Sequence, residues 1–281
     1  MLFRLVLGLA LSSAIGFVAY RRGSLAGSGV AGAVLIGTTI FGFGGWVRGL
    51  LLIAFFVSSS ALSHYRKIQK TALAEKFAKG SRRDLAQTLA NGGAAALLAV
   101  AIGLVGSDAA LYPVLALGFL GALATVNADT WATELGVLAQ RAPRLITTGR
   151  QVPVGTSGGV TRRGTLAALA GALFIGAAAF VLIQLAARAT TGAWLWSDWI
   201  VMPIAAVSGL AGALFDSLLG ATVQAIYICD RCGTETERTV HRCGAATRRV
   251  RGWPWLNNEG VNFLASVAGA LVAAGLAFVM M

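Results

Sequence analysis

TLAALAGALFIGAAAFVLIQLAA, residues 165–187, carries no charge and only one amide, Gln184. Wound as a helix, its residues extend about 35 Å, enough to cross the hydrocarbon core of a bilayer. A helix packed on a soluble core would keep one polar face, and this stretch has none. It reads as a transmembrane span. Working outward, comparable stretches occur at about 2–20, 25–44, 46–63, 86–106, 109–127, 199–225 and 261–281, giving about eight spans in all. The second and third are separated only by FGFGGW (41–46), a glycine-rich turn that suggests a hairpin. Composition agrees. The chain is 57% hydrophobic and 12% charged, where a soluble domain carries about 25% charged residues. Its 36 glycines suit close helix packing in a membrane. The first 22 residues resemble a secretory leader, but their length and the pair Arg21 and Arg22 fit a first span better. The fold expected is all-α: a polytopic helical bundle forming a single membrane domain over 1–281.

The net charge of +12 would suggest nucleic acid in a soluble protein. Here the basic residues lie between spans, so no nucleic-acid partner is expected. Segment 64–84 holds seven Lys and Arg residues, segment 127–163 five and segment 226–260 six. With eight spans all three segments fall on one side, which the positive-inside rule makes cytoplasmic. Both termini are then outside, and the expected location is the cell membrane. Segment 64–84 alternates basic and apolar residues at helical spacing and reads as an amphipathic helix on the anionic leaflet.

Four stretches are too polar, and too specifically spaced, for their positions. RRDLAQTLANGG (82–93) follows Arg83 with Asp84, Gln87 and Asn91, which would share one helical face. NADTWATELG (127–136) ends the fifth span and offers Asp129 and Glu134 amid hydroxyls, a donor set suited to Mg²⁺. GTSGGV (155–160) is a glycine-rich loop before a new helix. Its Gly155, Thr156, Ser157, Gly158 and Gly159 would cradle phosphate, aided by Arg150, Arg162 and Arg163. The Walker spacing is absent. DSLLGATVQ (216–224) puts Asp216 inside an apolar span, with Gln224 two turns further on. Simple helix gluing or capping is the competing reading for each.

The 226–260 loop contains CDRCGTETERTVHRC, where Cys229, Cys232, His241 and Cys243 could hold a structural Zn²⁺. Asn258 and Asn262 precede the last span.

Taken in order, ANGG, ADTWATELG, GTSGGV, DSLLGATVQ, the CxxC…HxC loop and NNxxVN resemble the integral membrane family that contains phytyl-phosphate kinase and transmembrane protein 19. There is a more distant similarity to the CTP-dependent dolichol and phytol kinases. The resemblance covers nearly the whole chain. It implies phosphoryl transfer from CTP, or another nucleoside triphosphate, to an isoprenoid (prenyl) monophosphate. Combined with the residues, it assigns Mg²⁺ to Asp129, Glu134 and Asp216 as catalytic groups. Nucleotide and phosphate binding then falls to Arg83, Asp84, Gln87, Asn91, the 155–159 loop, Arg163, Gln224, Asn258 and Asn262. A lipid-phosphate cytidylyltransferase could use the same parts. A lipid-phosphate transporter or flippase is the rival from another class, though no internal repeat supports it.

Overall fold

The computed structural model describes residues 1–65 and 82–280. Most of the expected amphipathic segment 64–84 lies outside them. The helices are α1 (Leu2–Arg21), α2 (Gly27–His64), α3 (Leu85–Val105), α4 (Tyr112–Gly136), α5 (Arg162–Thr191), α6 (Val201–Thr222) and α7 (Asn258–Met280). A 3₁₀ turn, Trp196–Ile200, leads into α6. Seven helical segments among the described residues are long and apolar enough to cross a membrane.

α2 makes two crossings. Its helical dihedrals break at Gly45, with φ 76° and ψ −173°, a region of backbone space open essentially to glycine alone. Contacts on either side show a reversal. In the first arm, 27–44, Gly32 abuts Thr88, Gly92 abuts Ile36 and Gly103 abuts Phe43, so this arm runs parallel to α3. In the second arm, 46–64, Arg48 meets Tyr112, Ser58 meets Asn127 and Ser63 meets Glu134, so it runs parallel to α4. α3 and α4 succeed one another across the bilayer, and the two arms therefore point in opposite directions. The hairpin closes where Phe41 packs edge-on against Trp46, with ring centroids 5.9 Å apart. Eight crossings result, and the chain termini lie together at the end opposite the loops that follow α2, α4 and α6.

α4 is the central helix. Residues 118–128 are buried without a break, as expected of a helix that is apolar all round. Small residues bring its neighbours to backbone distance. A Cβ on Gly209 would strike Ala172 and the Ala124 carbonyl, and one on Gly269 would strike Thr125 and the Gly121 carbonyl. Without a hydrophobic driving force between helices in lipid, such close dispersion contact holds the bundle together. Polar pairs add to it. Fully buried Asn127 accepts from Ser58 Oγ at 3.1 Å and donates to the Gly171 carbonyl at 2.7 Å, tying α2, α4 and α5 together.

α4 continues nine residues past 127, so the polar stretch that ends the fifth span is helical to Gly136. One feature departs from the expectation. Segment 226–260 contains a three-stranded antiparallel ribbon of β3 (Ile226–Cys229), β4 (Thr234–Thr236) and β5 (Arg248–Arg251), in the order β4-β3-β5. A shorter pair, β1 (Arg144–Leu145) and β2 (Gly159–Val160), frames the glycine loop.

Candidate active site

The polar stretches meet at one end of the bundle, round a cavity of about 560 Å³. α4 supplies Asp129, Thr133 and Glu134; α6 supplies Asp216, Ser217 and Gly220. Both helices end here. Asp129 and Asp216 lie seven and six residues before those ends, each about 10 Å in from the loops. They are close enough for their charges to act on one another, and Glu237 acts on Asp216 as well. Asp216 Oδ2 is shielded from solvent with no hydrogen-bond partner among the described residues.

Facing the carboxylates is the 155–159 loop, all five of whose residues border the cavity. Gly158 has φ 82° and lies so close to Ala221 of α6 that a Cβ would overlap it. The loop feeds into α5, capped by Thr161, whose Oγ1 accepts from the Gly164 N–H at 2.9 Å. Thr161, Gly164 and Thr165 line the same cavity. The N-terminal residues of α3 and α7 converge there too, through Gln87, Asn258, Glu259 and Asn262. The positive ends of helix dipoles favour an anion.

Glu134 has a setting of its own. It accepts from Ser63 Oγ at 2.6 Å and attracts Arg83. Burial pulls the Arg83 guanidinium below its usual range, and the Glu134 carboxylate opposes that pull. Arg83 also lies over the rings of Phe55 and Phe56, 5.8 Å from each centroid.

Of the residues singled out in the sequence, Arg83, Gln87, Asp129, Glu134, Gly155 to Gly159, Asp216, Gln224, Asn258 and Asn262 border this cavity. Three do not. Asp84 caps α3: it accepts from the Gln87 N–H at 3.0 Å while Gln87 Oε1 accepts from the Asp84 N–H at 3.2 Å. It sits outside the helix, so it does not share the face of Asn91. Asn91 reaches the site only through Asn262, at 3.5 Å. Arg163 turns away and donates to the Leu138 carbonyl at 2.9 Å. Arg150 and Arg162 are exposed and do not line the cavity either. Among the described residues, the cations that do are Arg83 and Arg242.

Glu237 and Arg242 were missed in the sequence because they stand among the candidate metal ligands, Glu237 between Cys232 and His241 and Arg242 between His241 and Cys243. Glu237 accepts from Ser157 Oγ at 3.0 Å and from Gln224 Nε2 at 2.8 Å.

The donor set round Asp129 and Asp216 fits a hard divalent cation. It offers carboxylate oxygens on neighbouring helices, one of them without a protein partner among the described residues. The donor atoms of Cys229, Cys232, His241 and Cys243 all lie within 4.8 Å of one another. Cys229 and Cys243 sulfurs are 3.7 Å apart, and tetrahedral zinc–thiolate bonds would set them about 3.8 Å apart. Hydrogen bonding to His241 draws the Cys243 thiol down to about 6, while hydrogen bonding to Cys243 raises Cys232 to about 11.

Membrane-crossing helices gathered round a cavity lined by carboxylates, a glycine loop and helix N-termini define a multi-pass integral membrane protein with a built polar site. The chain belongs to the family described as Integral membrane protein DUF92, whose model matches residues 10–270, in keeping with the resemblance carried by its motifs. It is 36% identical to Protein PGR of Arabidopsis thaliana over 272 residues, 93% of this chain and 92% of that one. It is 29% identical to the chloroplastic Protein VTE6 of the same plant, over 89% of this chain and 64% of that one. An uncharacterised membrane protein of Methanocaldococcus jannaschii is 28% identical over 96% of this chain and 93% of its own. No solved structure matches.

Proposed function

We propose that the protein is a nucleoside-triphosphate-dependent kinase, with CTP favoured, that converts a prenyl monophosphate to the diphosphate. The supporting observation is the placement of Asp129 and Asp216 across one cavity from the 155–159 loop, with the cavity opening at the polar end of a membrane bundle. The lipid chain stays among the helices and its phosphate reaches the carboxylates. An oxygen of that phosphate attacks the γ-phosphorus of the nucleotide. The bond from that phosphorus to the β,γ-bridging oxygen breaks, and nucleoside diphosphate leaves. The acceptor is already an anion, so no general base is required. What the site must supply is alignment and charge neutralisation. Arg83 and Arg242 attract the phosphates, and the glycine loop and the α5 N-terminus orient them. Asp129 and Asp216 would hold Mg²⁺, which when bound offsets phosphate charge. By the positive-inside rule the site faces the cytoplasm of a cell membrane, or the equivalent compartment of an organelle.

Purified protein in lipid vesicles, given CTP, ATP, GTP or UTP labelled at the γ position and a set of prenyl monophosphates, tests this reading. Label should appear in the lipid together with free nucleoside diphosphate. Pyrophosphate release with the nucleoside retained on the lipid would replace the kinase by a cytidylyltransferase. Movement of lipid phosphate between leaflets without nucleotide turnover would replace it by a transporter.

A further inference from the structure

We infer that the ribbon after α6 is a zinc-built clasp, whose Cys229, Cys232, His241 and Cys243 fix a hairpin that presses Glu237 onto the 155–159 loop. The metal site does not depend on the kinase reading; only the naming of the clasped loop as a phosphate loop rests on it.

The ribbon is too small to fold on an apolar core of its own. Its strands have four, three and four residues, and isolated hairpins of this size are marginal in water. Something else must hold it. At the far end, two tight turns face one another. In the first, the Cys232 and Gly233 N–H groups donate to the Cys229 carbonyl at 3.2 and 2.7 Å; in the second, the Gly244 N–H donates to the His241 carbonyl at 2.9 Å. These turns bring together three thiols and an imidazole, a tetrahedral donor set with thiolate-rich character selective for zinc. Cys229 is fully buried while Cys232 and Cys243 are exposed, so the cluster sits at the ribbon's edge rather than in a hydrophobic interior.

At the near end the ribbon is stapled to the membrane helices. The Trp253 N–H donates to the Val223 carbonyl at 2.8 Å, and the Ala225 N–H to the Leu256 carbonyl at 2.8 Å. Arg251 donates to the Ala221 carbonyl at the end of α6. Register carries the metal's effect between the ends. Cys229 pairs with Thr234 and Tyr227 with Thr236, which places Glu237 beside the base of β3. There it accepts from Ser157 of the loop and Gln224 of the stem at once. Glu237 is thus a positioning residue: it acts on whatever the loop binds through Ser157.

Full-length protein purified without chelators should contain about one zinc per chain, and Cys232→Ser should reduce that to background. Hydrogen exchange of residues 153–160, measured without any substrate, should accelerate about tenfold or more in Cys232→Ser. Glu237→Ala should keep its zinc and show the same acceleration. Glu237→Gln retains an acceptor oxygen for Ser157 and Gln224 and should restore protection. A metal-free protein whose thiols stay reactive to a thiol reagent after zinc is added would overturn the proposal. So would Glu237→Ala exchanging at 153–160 like the parent. Correct zinc and exchange behaviour in a protein that phosphorylates no prenyl phosphate would sink the kinase reading and leave the clasp intact.

Discussion

Among single residues, the cavity carboxylates carry the largest cost. Burial is the main burden on the Asp216 carboxylate, and the nearby Asp129 and Glu237 add to it, a cost that a bound cation would offset. Asp129→Asn and Asp216→Asn should therefore each reduce phosphoryl transfer by about a hundredfold or more. The unfolding temperature in detergent should stay level or rise, because a costly buried carboxylate is replaced by a neutral amide. A variant that loses activity by unfolding would show the opposite temperature shift. Asp129, Glu134 and Asp216 were legible as candidate site residues because a carboxylate in an apolar helix has few innocent explanations. Asp84 was misplaced because a capping aspartate and a face-sharing aspartate look alike until the helix start is known; Leu85 is the first helical residue. Glu237 was illegible because its importance comes from strand pairing that brings it 80 positions back to Ser157.

For the elements, the hairpin in α2 turns on one backbone conformation. Gly45→Ala would force a Cβ into a region that costs about 1–3 kcal/mol, and the arms on either side pack against different helices. The variant should lower stability by that order, read as a shift in thermal unfolding in detergent. Gly27→Ala, where a Cβ meets nothing within 4 Å, is the matched control. The hairpin was legible in FGFGGW because two apolar stretches of span length cannot continue as one straight span. The ribbon was not. Strands of three and four residues carry too few alternations to be told from loop, and their stability is drawn from the turns and the stem. The continuation of α4 to Gly136 was legible as the end of the fifth span, although its polar residues set the apolar boundary at 127. Thr130 satisfies itself on the Val126 carbonyl at 2.8 Å, so hydroxyls near a helix end need not stop the helix.

Across the molecule, crossing number and charge fix one another. Eight crossings put both termini opposite the arginine-rich connections, and an odd number would separate them. An epitope tag after Met281 should be reachable from outside intact cells, or from the non-cytoplasmic face of vesicles. A tag inserted at Gly149, in the exposed stretch 147–151, should be reachable only after permeabilisation. The same accessibility for both tags would reject the eight-crossing topology.

The depth of the carboxylates has a kinetic consequence. Asp129 and Asp216 sit about 10 Å below the loops, so on the proposed reaction the lipid phosphate meets them without its chain leaving the bilayer. One reactant then arrives by lateral diffusion in two dimensions and the other from three-dimensional solution. The rate should follow the mole fraction of prenyl phosphate in the membrane phase and not its bulk molarity. Diluting mixed micelles with inert detergent at constant total prenyl phosphate should slow turnover. Adding more buffer around unchanged vesicles, at fixed nucleotide concentration, should leave turnover per enzyme as it was.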